Sequence, residues 1–133
     1  MKDNFNKMDM KEKLSLLWIF AMFNYTYADI LTLMDSSVLK EIISGTVGGM
    51  ELTQGFLFVA SFLMILPIFM IVLSRILPYK NNRRVNIIAG IIKTLAVFGS
   101  TFVGTPAAYY MLFGAIEIAT TSYIVWISWK WKE

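Results

Sequence analysis

Four long runs of apolar residues alternate with short polar segments along the chain. They cover residues 14–34, 56–77, 85–104 and 107–129, and each run holds a single charged residue. A helix rises about 1.5 Å per residue, so runs of this length cross the ~30 Å hydrocarbon core of a bilayer. The runs are apolar around the whole helix, whereas a soluble bundle needs a polar face. The pattern predicts an all-α, polytopic membrane protein whose single domain, residues 1–133, is a four-transmembrane-helix bundle.

The segment 35–55 between the first two runs is predicted to be external and to carry a short interfacial helix. Ser37 is a residue type suited to an N-cap, and Gly45 stands where a helix C-terminal glycine belongs. The apolar residues between them fall on one face: Val38, Leu39, Ile42 and Ile43. A helix of this kind lies in the membrane interface, and we expect it to form a partial lid over the bundle.

Two shorter connections are predicted further along the chain. Residues 78–84 are polar and are expected to form a cytoplasmic turn. Thr105 and Pro106 separate the last two runs, and their types suit the N-cap and the first position of a helix. So short a link makes the last two helices an antiparallel hairpin.

Lysine and arginine lie almost entirely on one side of the predicted bundle. Ten of the 12 are in the tails 1–13 and 130–133 or in and beside the 78–84 turn, and the other two are Lys40 and Lys93. Cytoplasmic segments of membrane proteins carry an excess of these residues. Both termini of this multi-pass chain are therefore expected in the cytoplasm.

Composition narrows the classes of function. The chain is 57% hydrophobic and only 16% charged, whereas a soluble domain has about a quarter of its residues charged. It contains no Cys and no His, so no disulfide, usual zinc site or His-ligated haem is expected, and we predict no metal and no cofactor. The net charge of +3 comes from cations at helix ends, which match anionic lipid headgroups. The predicted partner is the lipid bilayer, not nucleic acid.

Two charged residues fall near the middle of the last two predicted helices. Lys93 lies 11 residues before Gly104, and Glu117 lies 11 residues after Pro106, so both have the same depth on adjacent helices. A charge at the bilayer centre needs a partner, and an intramembrane ion pair is the natural inference. The pair either locks the two helices together, or Glu117 binds a proton or cation while Lys93 adjusts its ionisation.

Further polar residues indicate a pocket in the outer third of the bundle. Tyr25 and Asp29 share one helical face with Trp18 and Met22. A membrane protein gains little from such groups unless they bond to each other, to water or to a ligand. The predicted pocket residues are Asn24, Tyr25, Asp29, Gln54 and Tyr110.

A proline interrupts the second predicted helix. Pro67 has no N–H, so the carbonyl of Leu63 loses its usual partner within the helix. We expect a kink or hinge there, of the sort that widens a cavity.

Four functions fit these features. The protein could bind or move a small amphipathic or lipid-like molecule. It could be a membrane-embedded enzyme acting on a lipid, isoprenoid or quinone, with Glu117 and Asp29 as acid and base. It could also be a small proton-coupled exporter, or a subunit of a membrane complex. We favour binding, because no nucleophile motif supports an enzyme and the strong Lys/Arg bias is unlike the small multidrug-resistance exporters. The sequence is also compatible with a homo-oligomer.

Several local strings carry a resemblance to a known family. They are Trp18-Ile19-Phe20, Asn24-Tyr25, Tyr27-Ala28-Asp29, Thr53-Gln54-Gly55-Phe56, Asn86-Ile87-Ile88-Ala89-Gly90, Val103-Gly104-Thr105-Pro106 and Ile116-Glu117. They resemble a family of small bacterial four-helix integral membrane proteins of unknown function, broadly similar in build to the DoxX-like proteins. The resemblance runs from about residue 14 to 131. It implies a bacterial inner (plasma) membrane and a four-helix bundle, and it assigns no catalytic residue.

Overall fold

The computed structural model describes residues 8–47, 50–101 and 108–132. Within these ranges the chain forms five helices and one small hairpin. The elements are α1 (Met10–Met34), α2 (Ser36–Ile43), β1 (Thr46–Val47), β2 (Met50–Glu51), α3 (Gln54–Ile76), α4 (Tyr79–Thr101) and α5 (Ala108–Lys130). The predicted all-α class is confirmed. The predicted Thr105-Pro106 hairpin turn lies outside the described residues.

Three of the long helices, α1, α3 and α5, are long and apolar enough to cross a membrane by length and composition. The fourth, α4, has the same length as α3 and α5 but begins with polar and basic residues and carries Lys93. Many large apolar side chains on these helices are exposed, as expected for surfaces that meet lipid. Examples are Phe58, Phe62, Phe69, Leu95 and Leu112.

The four long helices pack in a ring around one core. α1 packs on α3 and α5, and α4 packs on α5 and α3, with the α3–α4 contact the least extensive. The largest apolar side chains with almost no exposure are Trp18, Leu14, Met70 and Ile124. Because α4 starts beside the ends of both α3 and α5, those two helices run in the same direction.

The predicted turn at residues 78–84 is wrong, because α4 already begins at Tyr79. The backbone N–H of Asn82 donates to the carbonyl of Pro78 at 2.8 Å, which starts the helix directly after the proline. The side chain of Asn82 donates to the carbonyls of Ser74 at 2.7 Å and Leu77 at 3.2 Å. The polar residues therefore form the first turns of α4 and bond the carbonyls at the end of α3.

A fully buried polar cluster joins α1, α3 and α4 near this turn. The indole N–H of Trp18 donates to Asn86 Oδ1 at 2.8 Å, and the Asn86 amide donates in turn to the carbonyl of Asn82 at 2.9 Å. Ser74 Oγ also lies 3.3 Å from Asn86 Oδ1. All four side chains are 0% exposed. Sequence analysis missed this cluster because it assigned Asn82 to the turn.

The short helix α2 forms where it was predicted, but its N-cap is Asp35 and not Ser37. Asp35 Oδ1 accepts from the Ser37 hydroxyl at 2.8 Å and from the Ser37 backbone N–H at 3.2 Å. These bonds, with one from Tyr109, lower the pKa of Asp35 below its ordinary value. Gly45 has a φ of 94°, which confirms the glycine expected after this helix.

Candidate functional site

A cavity of about 200 Å³ lies between the four long helices. It sits towards the end of the ring where α1 finishes and α5 begins. Its polar lining comes from three helices and consists of Tyr25, Asp29, Lys93, Tyr110 and Glu117. Apolar groups complete the wall, among them Leu63 and Met64 of α3 and Phe113 of α5. Three of the five predicted pocket residues, Tyr25, Asp29 and Tyr110, thus line one cavity together with the predicted mid-depth charges.

Lys93 is buried, 4% exposed, and its ammonium has two partners. Nζ donates to the backbone carbonyl oxygen of Leu63 at 3.1 Å. It also lies 4.1 Å from the ring centroid of Tyr25, a cation–π distance. The Leu63 carbonyl is open to Lys93 because Pro67, four residues later, has no N–H to donate. The proline of α3 therefore creates the acceptor that holds the lysine of α4.

Glu117 faces the same cavity without touching Lys93 directly. Its side chain is only 6% exposed, and within the described part of the chain no donor makes a hydrogen bond to its carboxylate. The charges of the two residues interact across the cavity rather than through a close contact. The predicted ion pair is accordingly a longer-range interaction, with the lysine held by α3 and α1.

Asp29 is the third charged group on the cavity wall. It is exposed, and neither Gln54 nor Tyr110, two other polar residues predicted for the pocket, makes a hydrogen bond to it. The hydroxyl of Tyr109 donates to Asp35 Oδ2 at 3.1 Å. Asp29 also interacts electrostatically with Lys93 and Glu117. Both oxygens of its carboxylate are therefore available to accept hydrogen bonds.

Tyr25 presents its ring to the cavity and to Lys93. The residue is 5% exposed, and its hydroxyl oxygen is buried without a hydrogen-bond partner in the described structure. A buried hydroxyl without a hydrogen-bond partner costs free energy. A further group that formed a hydrogen bond with the Tyr25 hydroxyl would remove this cost.

Two of the predicted pocket residues lie outside the cavity. The amide of Asn24 donates to the carbonyl of Phe20 in its own helix at 2.9 Å. Gln54 is exposed in the first turn of α3, directly after the N-cap Thr53. The depth in the membrane estimated from sequence position placed both residues near Asp29. Their positions around the helix axis, however, point them away from the bundle interior.

The wall residues that sequence analysis missed are apolar ones, contributed by all four long helices. Leu63 matters most because its carbonyl holds Lys93. The signal was present in the sequence, since Pro67 frees that carbonyl, but the lysine that meets it could not be assigned without the packing of α3 on α4. No group of three or more Asp or Glu side chains in the described ranges could hold a metal ion.

Comparison with known proteins gives one match. No curated protein and no solved structure matches the chain, and a likeness to DoxX-like proteins is not shown. One family matches residues 1–133, the full sequence, under the description family of unknown function. The chain therefore belongs to the family of unknown function DUF6326.

Proposed function

We propose that this protein is a bacterial inner-membrane bundle of four transmembrane helices that binds or moves a small amphipathic molecule in the cavity. Both termini lie in the cytoplasm, and α2 rests in the outer interface. The alternative activities, catalysis on a lipid or quinone and proton-coupled export, need the same cavity but draw no separate support from its geometry.

The connectivity supports a fourth span. The start of α4 bonds to the end of α3 through Asn82 and to the end of α5 through Arg83, whose Nε donates to the carbonyl of Ser128 at 3.0 Å. Helices α3 and α5 therefore end on the same side. If both cross the membrane, α4 must carry the chain back across it, although α4 itself has basic residues in its first turns.

The observation that carries the proposed binding role is the cavity wall itself. Asp29, Lys93 and Glu117 face one space at a depth where each charge is costly, and two of them are nearly fully buried. Side chains that only packed the helices would be satisfied by each other. Here the buried hydroxyl of Tyr25 has no hydrogen-bond partner in the described chain, and neither Asp29 nor Glu117 accepts a hydrogen bond there. A polar group bound in the cavity supplies what they lack.

Native mass spectrometry of the gently extracted protein tests this role. The wild type is expected to carry one non-bulk molecule per chain, and Asp29→Asn is expected to lose it. Glu51→Gln is the matched control, since Glu51 is an exposed carboxylate of the β2 strand away from the cavity. Bulk phospholipid alone on all three proteins would contradict the proposal and favour a subunit of a membrane complex.

A further inference from the structure

We propose that the ligand of the cavity carries a protonated amine, and that Glu117 and Asp29 are the groups that hold it. This inference rests on the proposed function and names the chemical class of the ligand. It follows from which groups on the cavity wall already have partners and which do not.

The cationic group of the cavity is already occupied. Lys93 donates to the carbonyl of Leu63 at 3.1 Å and lies over the ring of Tyr25 at 4.1 Å. The ammonium keeps further N–H donors, but its charge already interacts with the two carboxylates of the cavity, Glu117 and Asp29. An anionic headgroup would therefore meet two carboxylates beside one ammonium, which disfavours it.

The unoccupied groups are acceptors. Glu117 is 6% exposed, lines the cavity and receives no hydrogen bond within the described chain. Asp29 faces the same space and likewise receives no hydrogen bond from a described residue, but its side chain is exposed. A carboxylate accepts hydrogen bonds through both oxygens and an ammonium group donates three, so the two are complementary.

The charge balance leads to the same ligand class. With both carboxylates ionised, the cavity wall carries two negative charges and one positive charge, a net charge of one negative. Glu117 is nearly fully buried, so a monovalent cation that balances this charge is favoured over a neutral molecule or an anion. The rings of Tyr110 and Phe113 on the wall favour an organic cation.

Volume limits the size of this cation. The cavity of about 200 Å³ is smaller than the ~300–1,000 Å³ of sites for drug-sized ligands. It holds an amine head and a short hydrocarbon chain, whereas a longer chain would have to leave between the helices, where the α3–α4 contact is least extensive.

Calorimetric titration of the protein in nanodiscs with three six-carbon probes tests the ligand class. Hexylamine is cationic at neutral pH, hexanol is neutral and hexanoate is anionic, and empty nanodiscs correct for partitioning into lipid. We expect hexylammonium to bind once per chain, about tenfold or more tightly than either other probe, because a hydrogen bond to a charged group is worth that factor.

Variants identify the groups involved. Glu117→Gln and Asp29→Asn should each weaken hexylammonium binding about tenfold, while Glu51→Gln leaves it unchanged. Asp29 is exposed, so its variant stays folded even if the buried Glu117→Gln does not. Lys93→Met should tighten hexylammonium binding, because it removes a positive charge that competes for Glu117.

The outcomes separate this inference from the proposed function. Equal binding of hexanol, or tighter binding of hexanoate that Lys93→Met abolishes, would overturn the amine while leaving a small-molecule site. Binding of none of the three probes, with no adduct in the mass spectrum, would overturn both.

Discussion

Three single residues explain why the cavity has the chemistry it has. Pro67 removes an N–H from α3, the Leu63 carbonyl is left open, and Lys93 fills it at 3.1 Å. The lysine is thereby kept away from Glu117, whose carboxylate stays free. A proline within one helix thus supplies the partner of the cavity lysine, and the carboxylate of Glu117 is the group left for the proposed ligand.

Replacing this proline should change binding rather than folding. In Pro67→Ala the alanine N–H can bond to Leu63, so Lys93 loses its acceptor and turns towards Glu117. We expect hexylammonium affinity to fall several-fold, measured by the same titration. Unchanged affinity in a folded Pro67→Ala protein would mean that the Leu63 carbonyl does not position Lys93.

Asn86 is the residue on which the buried polar cluster depends. It accepts from Trp18 and donates to Asn82, and all three are 0% exposed. Asn86→Ala should lower the free energy of unfolding by about 1–3 kcal/mol per group left unpaired. Asn24→Ala is the control, since Asn24 bonds only to the carbonyl of Phe20 in its own helix. Equal stability of the two variants in unfolding measurements would contradict a stabilising cluster.

At the scale of elements, the close approach of α4 and α5 depends on Gly90. A Cβ atom there would lie 2.5 Å from Val125 Cγ2 and 3.3 Å from the Thr121 carbonyl oxygen, whereas one at Gly99 would meet nothing within 4 Å. Gly90→Ala should therefore force the helices apart and destabilise the protein by about 1–3 kcal/mol. Gly99→Ala should raise stability by up to ~1 kcal/mol through helix propensity. The same sign of change for both variants in thermal unfolding would be inconsistent with this packing.

Helix α2 depends on the carboxylate of Asp35 at its N-terminus. Asp35→Ala removes the acceptor for Ser37 and should speed amide hydrogen exchange in α2. Asp9→Ala is the matched control, because Asp9 precedes α1 without a side-chain cap hydrogen bond. Similar acceleration of exchange in α1 of the control would contradict a specific cap at Asp35.

The pH dependence of this cap follows from its charge. Folding lowers the pKa of Asp35, chiefly through the Ser37 hydroxyl, so the carboxylate stabilises α2 fully above the ordinary Asp pKa. This contribution is lost as pH falls through the lowered pKa. The difference in exchange between wild type and Asp35→Ala, corrected for intrinsic rates, should therefore shrink only below the ordinary Asp pKa. A difference that disappeared near neutral pH would contradict the assignment.

At the scale of the whole molecule, hydropathy predicted the helical class and the approximate place of all four long helices. It could not give the start of α4 at Tyr79, since polar residues in a first turn resemble a loop in sequence. Depth arguments placed Tyr25, Asp29, Tyr110, Lys93 and Glu117 well enough that all five line one cavity. They failed for Asn24 and Gln54. The direction in which a side chain points depends on how its helix is rotated about its axis, and this rotation is set by packing against the other helices.

The proposed topology is testable because the sequence has no cysteine. Single cysteines placed at Lys40 and at Lys132 should differ in whole cells, the first reacting with an impermeant maleimide and the second only after lysis. Reaction of both in intact cells would rule out four spans with a cytoplasmic C-terminus.

The most direct test of the central claim asks whether a ligand covers Glu117 inside the bundle. A membrane-permeant carbodiimide should label Glu117, detected by peptide mass spectrometry, and hexylammonium should slow that labelling while hexanoate does not. Labelling of exposed Glu51 should be the same with either probe. If hexylammonium leaves the Glu117 rate unchanged, or protects Glu51 equally, the cavity is not the binding site.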